Sequence, residues 1–308
     1  MRVHLQPGAL RALRAVAIVA VIGAFLWALL GQIGDIAAHE WHLSWGFIAL
    51  AIICALVRGP LIALPWWRIL QGWGYALAWW RSLRVYFHSG LARYLPGQYW
   101  YVLSRALLAE REGISKSVAT AATLVETVIV TGSAGGVALL GLSQVPNWPD
   151  GVGMLLLAGG ILTPVVLAII AASPMSARFW DWLMKLARRP PLASRLKWQD
   201  ALVSLAAAYG NWLLYGMIAV FALAGISPNA STYLTQAPAI IGCFTASVLG
   251  AAVVLFVPQG IVVREGVFVF LLSTLLSVPV PEAVAAAALT RLLATLADGL
   301  WAGAALRF

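Results

Sequence analysis

Residues 117–142 of this 308-residue chain read SVATAATLVETVIVTGSAGGVALLGL, a run of small and apolar residues with a single charge, Glu126. An apolar helix of about 20 residues crosses the roughly 30 Å hydrocarbon core of a bilayer. Glu126 lies nine residues into the run, at a depth where a charged side chain costs roughly 2.5 to 3.5 kcal/mol on insertion scales. We therefore expect a membrane-spanning helix with a polar face that needs a partner inside the protein.

The composition of the whole chain also indicates that most of it lies in the hydrocarbon of a membrane. Hydrophobic residues make up 62% of it and charged residues only 10%, against about 25% charged residues in an average soluble domain. A water-soluble fold is excluded, and we predict one all-α domain over residues 1–308, a polytopic membrane helical bundle. The net charge of +9 comes from Lys and Arg between the apolar runs, so it indicates membrane topology and no nucleic-acid partner.

Apolar runs of spanning length predict seven spans, or eight if a shorter run at 267–280 is a full helix and not a half-helix. The seven runs are 15–34, 43–64, 117–142, 151–172, 201–224, 238–257 and 283–306. Lys and Arg alternate between loops: eight lie from Arg58 to Lys116, whereas 35–42 and 143–150 contain none. Because positively charged loops stay in the cytoplasm, we expect a multi-pass protein of the cell membrane with a cytoplasmic N-terminus.

Residues 65–112 form an aromatic and basic stretch, in which Trp66, Tyr86 and Arg105 are typical residues. Tryptophan, tyrosine and arginine side chains favour the headgroup layer of a bilayer. We interpret the stretch as interfacial helices on the cytoplasmic side. A re-entrant segment, in which part of the stretch dips into the bilayer, is the open alternative.

Pro/Gly interruptions at matching positions indicate a weak internal repeat. The interrupting residues are Pro96 and Gly97 in the first half, and Pro258 and Gly260 in the second. We place the halves at 12–142 and 199–308, joined by a span at 151–172 and a basic cytoplasmic loop at 173–198. Paired interruptions point to a transporter site built from broken or re-entrant helices. Whether the repeats are parallel or inverted stays open.

Ionisable residues within the spans or beside the interruptions are the candidate substrate-binding residues. They are Arg93, Arg105, Glu126, Arg264, Glu265, Arg291 and Asp298. Charges inside a membrane are functional by default, and guanidinium groups near a helix start suit phosphate oxygens. Glu126 and Arg291 occupy equivalent places in the two halves, so we expect them to face each other across a central cavity. A structural ion pair that joins two helices is the alternative.

Other polar and small residues are assigned to helix packing. Asn211 is expected to hydrogen bond across helices, and the spacings Gly132 with Gly136 and Gly299 with Gly303 to let helices approach closely. No cofactor is expected, because the four histidines are too scattered for a metal set. The sequence has no Gly-Lys-Ser/Thr phosphate loop for ATP hydrolysis either.

Two segments of the chain together resemble the pattern of a known family. They read YLPGQYW at 94–100, followed by Arg105 and Glu126, and PQGIVVRE at 258–265, followed by Arg291 and Asp298. Together they resemble the membrane domain of lysylphosphatidylglycerol synthases. The resemblance implies an all-helical lipid flippase with re-entrant elements, here a stand-alone member without the aminoacyl-transferase domain. Gln259 and Val262 stand where the family commonly has glycines, which leaves the cargo open.

We therefore predict a lipid transporter, and not an enzyme, that moves a phosphate-headgroup lipid between leaflets. The lipid is a phospholipid or a polyprenyl-phosphate-linked one, and a separate synthase or glycosyltransferase is the implied partner. The alternative is a membrane-embedded glycosyltransferase, or its accessory subunit, with Glu110, Glu112 or Glu265 as the base at the membrane face. A third hypothesis is a scaffold with inert buried ion pairs.

Overall fold

The structure is a computed structural model that describes residues 34, 38–94, 100–146, 148–173, 178, 182, 185, 196–253 and 262–307. Within these ranges every regular element is helical, as predicted. The helices are α1 Trp45–Gly72, α2 Trp79–Leu91, α3 Trp100–Arg111, α4 Lys116–Leu142, α5 Val152–Ala172, α6 Trp198–Ile226, α7 Ala230–Thr235, α8 Ala237–Val253, α9 Val263–Leu275 and α10 Val280–Ala304.

Five of the described helices are long and apolar enough to cross a bilayer, namely α1, α4, α5, α6 and α10. Helix α8 is apolar but shorter, and the marginal run 267–280 divides between the end of α9 and the start of α10. The described residues therefore do not confirm seven or eight spans, and the predicted span at 15–34 lies outside them. Also outside them are the four predicted interruption residues, Pro96, Gly97, Pro258 and Gly260.

Helices α1 and α6 lie antiparallel and share the most extensive contact of the bundle. At one end the Ser44 N–H donates to the Gly225 carbonyl at 2.8 Å. At the other end Arg68 pairs with Asp200 at 3.3 Å. We call these the Ser44 end and the Arg68 end; helices α2 and α3 pack at the Arg68 end, against the other helices.

Helix α1 continues eight residues beyond the predicted run 43–64, through two prolines. Pro60 has no N–H to bond the Leu56 carbonyl, which usually breaks a helix. The indole Nε1 of Trp301, on α10, donates to that carbonyl at 2.9 Å instead. Gly59 makes room for the indole, since a Cβ there would lie 2.2 Å from Nε1. A side chain from another helix thus replaces the missing backbone hydrogen bond.

Two large apolar clusters form most of the core. One joins α1 to α4 around Trp66, and the other joins α6, α8, α9 and α10 around Phe244. Trp66 and Tyr86 are buried in the first cluster, although Trp80 and Trp100 are exposed. The apolar area of these two buried rings packs between helices, and the interfacial location of 65–112 stays a prediction.

Glycines bring α4 and α8 into backbone contact. A Cβ on Gly141 would lie 2.4 Å from the Pro238 carbonyl oxygen and 2.5 Å from the Gly242 Cα. Real Cβ atoms do not approach other atoms so closely, because packed interiors leave no such overlap. The two helices can adopt this spacing only with glycine at both positions, as small-residue helix interfaces in membranes require.

The predicted close-packing pairs have different outcomes. Gly132 and Gly136 lie against side chains of α5 and α6, so that a Cβ would be 2.6 Å from Leu167 and 2.1 Å from Tyr209 respectively. The prediction is confirmed there. At Gly299 nothing among the described residues lies within 4 Å of the added Cβ, and the same holds for the fourth predicted glycine, Gly303. The described residues do not confirm the prediction for that pair, because none of the described helices packs on this face of α10.

Candidate functional site

A partly open cavity of about 340 Å³ lies among the helices. Its lining comes from α1, α2, α3, α4, α6, α8, α9 and α10, and from the turn that holds Arg93. The lining includes six of the seven predicted site residues: Arg93, Arg105, Glu126, Arg264, Arg291 and Asp298. The seventh, Glu265, accepts hydrogen bonds from two of them, Arg264 and Arg291. The fold thus brings together charges that lie up to 205 residues apart, from Arg93 to Asp298.

Glu126 is 5% exposed and has two hydrogen-bond donors. The Tyr86 hydroxyl donates to its Oε1 at 2.7 Å, and Arg105 Nη1 pairs with its Oε2. Arg105, 1% exposed, also donates from Nε to Ser89 Oγ at 3.2 Å and lies 4.0 Å from the centroid of the Tyr86 ring. We call these four residues the Glu126 cluster. Its carboxylate is neutralised locally, as a buried charge requires.

The helices α2 and α3 place this cluster by amphipathic spacing. On α2 the buried residues Leu83, Tyr86 and Ser89 recur at three-residue intervals, so they share the face that packs on the bundle. On α3 the buried residues beside Arg105 are Ala106 and Ala109. Small neighbours let the guanidinium group reach α4 without a gap.

Asp298 binds two arginines from different elements. Its Oδ1 lies 3.0 Å from Arg58 Nη2, and its Oδ2 lies 3.8 Å from Arg93 Nη1. The guanidinium of Arg58 lies 4.1 Å from the centroid of the Tyr215 ring. The Tyr215 hydroxyl accepts a hydrogen bond from Arg264 Nη1 at 2.9 Å. One tyrosine therefore contacts a guanidinium with its face and a second with its oxygen.

Glu265 completes this set at the start of α9. Its Oε1 accepts from Arg264 Nη2 and from Arg291 Nη1, each at 2.9 Å. Its Oε2 accepts from the Val262 N–H at 2.9 Å, where the backbone has a φ of 75°. Valine rarely adopts such an angle, and glycine does so without strain. These contacts link seven residues, which we call the arginine–carboxylate chain: Arg93, Asp298, Arg58, Tyr215, Arg264, Glu265 and Arg291.

Glu126 and Arg291 both line the cavity, as predicted. Each is paired with a different residue, however: Glu126 with Arg105 and Arg291 with Glu265. The opposite charges on α10, Arg291 and Asp298, are likewise neutralised by other helices and not by each other. Arg105 and Glu126 form an ion pair between α3 and α4, whereas the alternative that the sequence left open was a structural ion pair of Glu126 with Arg291.

The cavity has an excess of positive charge and of hydrogen-bond donors. Five arginines stand against three carboxylates, so the site carries a net charge of +2 when all are ionised. Five guanidinium groups offer about 25 N–H donors, whereas three carboxylates offer about 12 lone-pair positions. An anion with several oxygen atoms suits this arrangement electrostatically.

Sequence reasoning missed Arg58, which was counted with a cytoplasmic loop. It is the fourteenth residue of α1 and only 3% exposed. A signal was present, because the arginine stands alone within the apolar run ALVRGPLIAL at 55–64. An arginine with apolar neighbours on both sides indicates a buried charge and not the start of a loop.

Asn211, on α6, also lines the cavity and is 1% exposed. Neither its Nδ2 nor its Oδ1 has a hydrogen-bond partner among the described residues. The predicted bond across helices is therefore wrong. The neighbouring residue, Trp212, does make such a bond, from Nε1 to the Val130 carbonyl at 2.7 Å, and this bond holds α6 against α4.

A separate buried carboxylate lies at the Ser44 end. Glu282, 1% exposed, accepts from the Tyr233 hydroxyl at 2.5 Å and lies 3.2 Å from His39 Nε2. Burial raises the pKa of the Tyr233 phenol, and the hydrogen bond to Glu282 raises it further. Among the described residues, no group of three or more His, Cys, Asp or Glu side chains is placed to hold a metal ion.

Comparison with known proteins identifies the architecture. The family model described as the lysylphosphatidylglycerol synthase TM region matches residues 14–302, nearly the whole chain. No curated protein matches the sequence. The matched range includes every residue of the Glu126 cluster and of the arginine–carboxylate chain. The chain therefore belongs to the family of lysylphosphatidylglycerol synthase transmembrane regions, as its two resembling segments predicted.

Proposed function

We propose that the protein moves a lipid with a phosphate-bearing headgroup between the two leaflets of the membrane. The headgroup passes through the cavity while the hydrocarbon chains stay in the bilayer. The observation that carries this proposal is the arginine–carboxylate chain, which gathers four guanidinium groups and two carboxylates at one cavity. A separate synthase or glycosyltransferase supplies or uses the lipid.

Two physical arguments support a phosphate. Charged groups are costly inside a membrane protein, so five arginines around one cavity need compensation beyond three carboxylates. Guanidinium groups pair with phosphate oxygens by short, charge-assisted hydrogen bonds. The cavity volume of about 340 Å³ is near the lower limit of roughly 300 to 1,000 Å³ for small-molecule sites. It therefore suits a headgroup and not a whole lipid with its chains.

Transport is tested by reconstituting the full chain in liposomes that contain a labelled phospholipid or a labelled polyprenyl phosphate. We expect at least one lipid to change leaflets faster than in protein-free vesicles. Arg264→Gln removes a hydrogen-bond donor from the arginine–carboxylate chain and should lower that rate at least tenfold. Arg68→Gln is the matched control, because Arg68 has a carboxylate partner in Asp200 but does not line the cavity. Rates equal to protein-free vesicles for both lipids would overturn the proposal.

The alternative, a membrane-embedded glycosyltransferase or its subunit that uses a polyprenyl phosphate, is less well supported. Its candidate bases are all bound to cations: Glu110 lies 3.1 Å from Lys116, Glu112 lies 2.6 Å from Arg84, and Glu265 has two arginines. A general base must be within hydrogen-bond reach of the proton that it removes, and these carboxylates are already engaged by Lys or Arg side chains. Turnover of a polyprenyl-phosphate sugar by the purified protein would favour this alternative.

A further inference from the structure

We infer that the transported headgroup is an anionic phosphodiester that bears hydroxyl groups and no free ammonium, and that Asn211 recognises its uncharged polar part. The inference rests on the proposed function and specifies its substrate class. Three features of the cavity carry it: the occupation of every carboxylate, the occupation of the tyrosine faces, and the unpartnered amide of Asn211.

An ammonium group would find every carboxylate of this cavity already paired with an arginine. Glu126 already accepts from Tyr86 and Arg105, and Asp298 lies within ion-pair distance of two arginines. Glu265 accepts from two arginines and from a backbone N–H. A further cation would therefore add to a local net charge of +2 and compete with the arginines for the same three carboxylates.

Aromatic rings are the other usual partners of ammonium groups, through cation–π contacts. Four aromatic side chains line the cavity: Tyr86, Tyr101, Trp212 and Tyr215. Arg105 lies 4.0 Å from the Tyr86 centroid and 5.7 Å from the Tyr101 centroid, and Arg58 lies 4.1 Å from the Tyr215 centroid. The Trp212 ring stacks on the Tyr215 ring, with 6.1 Å between the centroids. The three tyrosine rings thus already have guanidinium partners, and Trp212 has a ring partner.

Asn211 offers what a hydroxyl group requires. Its carboxamide has two N–H donors and an acceptor oxygen, and none is used among the described residues. A buried amide without partners is costly, so this one is poised for a group that both donates and accepts. It lies near the middle of α6, about 20 Å from either end at 1.5 Å per residue. Phosphate oxygens alone would not use its acceptor.

These features select a class of headgroup and exclude another. A phosphodiester linked to glycerol or to a sugar satisfies both the excess of guanidinium donors and the Asn211 amide. A headgroup with an amine, whether zwitterionic or aminoacylated, places a cation against the arginines. Two kinds of lipid carry such a headgroup, a glycerophospholipid and a lipid-linked sugar, and the experiment distinguishes them by which labelled lipid moves.

The test compares four chain-matched lipids in liposomes that contain the full chain: phosphatidylglycerol, phosphatidylmethanol, phosphatidylethanolamine and lysyl-phosphatidylglycerol. A lipid-linked sugar phosphodiester forms a fifth arm. We expect a hydroxyl-bearing lipid, phosphatidylglycerol or the sugar lipid, to move at least tenfold faster than either amine-bearing lipid. We also expect it to move faster than phosphatidylmethanol, which is an anionic phosphodiester without hydroxyl groups.

Asn211→Leu should remove the preference over phosphatidylmethanol while phosphatidylmethanol still moves. A merely structural role for Asn211 would lower both rates together. Thr290→Val is the matched control, since Thr290 is a buried, unpartnered polar residue that does not line the cavity. It should keep the preference.

The outcomes separate the two proposals. Amine-bearing lipids that move as fast as the hydroxyl-bearing ones would overturn this inference and leave lipid transport standing. No movement of any lipid would overturn the proposed function itself, and this inference with it. If Asn211→Leu does not fold, the unfolding temperature of the wild-type protein in detergent decides: glycerol phosphate should raise it, because a ligand stabilises the state it binds, and phosphoethanolamine should not. Equal shifts would contradict the inference.

Discussion

The pair of Arg105 and Glu126 shows how strongly single residues depend on each other in this bundle. Both side chains are buried, so removal of one leaves the other without compensation. We expect Arg105→Met to lower the free energy of unfolding in detergent by about 3–5 kcal/mol, the usual effect of breaking a buried pair. The double variant with Glu126→Leu should recover most of that loss. A double variant as unstable as the single one would contradict this account.

Tyr233 gives the protein a predicted sensitivity to alkaline pH. Its pKa is raised by burial and by Glu282, so the folded chain keeps the phenol proton at pH values where the unfolded chain loses it. The unfolded state then binds fewer protons, and the free energy of unfolding falls as pH rises above the ordinary tyrosine pKa of about 10.

The measurement compares wild type with Tyr233→Phe across pH 8 to 12. At the lower pH values the variant should be less stable by about 1.5–3 kcal/mol, because a charged buried acceptor loses its donor. Above about pH 10 the difference should shrink by up to about 1.4 kcal/mol per pH unit. Parallel stability curves over the whole range would show that Tyr233 does not titrate as described.

Single residues were predictable where their cost was visible in the sequence. Glu126, Arg291 and Asp298 stand out because a charge in an apolar run is expensive, and the fold places all three at one cavity. Asn211 was missed as a cavity residue because an amide is cheap enough to be structural in most membrane helices. The actual partners, such as Arg58 for Asp298, lie 240 residues apart in the sequence, so no local pattern reveals them.

Among the helices, the contact of α4 with α8 is the least tolerant of added volume. Gly141→Ala would place a methyl group against backbone atoms, which cannot rotate away. We expect it to lower the free energy of unfolding by about 1–3 kcal/mol, the range for overpacking. Gly299→Ala is the control, because its added Cβ meets nothing within 4 Å among the described residues. Equal stabilities of the two variants would contradict the close contact.

The apolar runs predicted where helices occur, but they did not predict where the helices end. Helix α1 outlasts its predicted run because Trp301 compensates for Pro60, an interaction between distant segments. A short helix precedes a long one in both proposed halves, α3 before α4 and α9 before α10. This order agrees with an internal repeat, but the halves 12–142 and 199–308 stay a prediction.

The whole molecule is electrically asymmetric between its two ends. The described loops of the Ser44 end contain no Lys or Arg. The Arg68 end carries exposed basic residues, among them Arg81 and Lys116. Because loops rich in Lys and Arg are retained in the cytoplasm, we expect the Arg68 end to face the cytoplasm.

Cysteine labelling of intact cells tests this orientation. Both native cysteines, Cys54 and Cys243, are free thiols and are first replaced by alanine. Asp150→Cys, at the Ser44 end, should then react with a membrane-impermeant thiol reagent from outside. Glu110→Cys, at the Arg68 end, should react only after the cells are permeabilised. The opposite pattern would show that the molecule is inserted the other way.

The carboxylates of the arginine–carboxylate chain have a consequence for the release of any anion. Asp298 and Glu265 occupy guanidinium N–H groups that a phosphate would otherwise use. They leave a bound anion fewer donors, and so weaken the hold of the arginines on it. We therefore expect the residence time of a bound anion to depend on how closely carboxylate and phosphate match as partners for the same arginines.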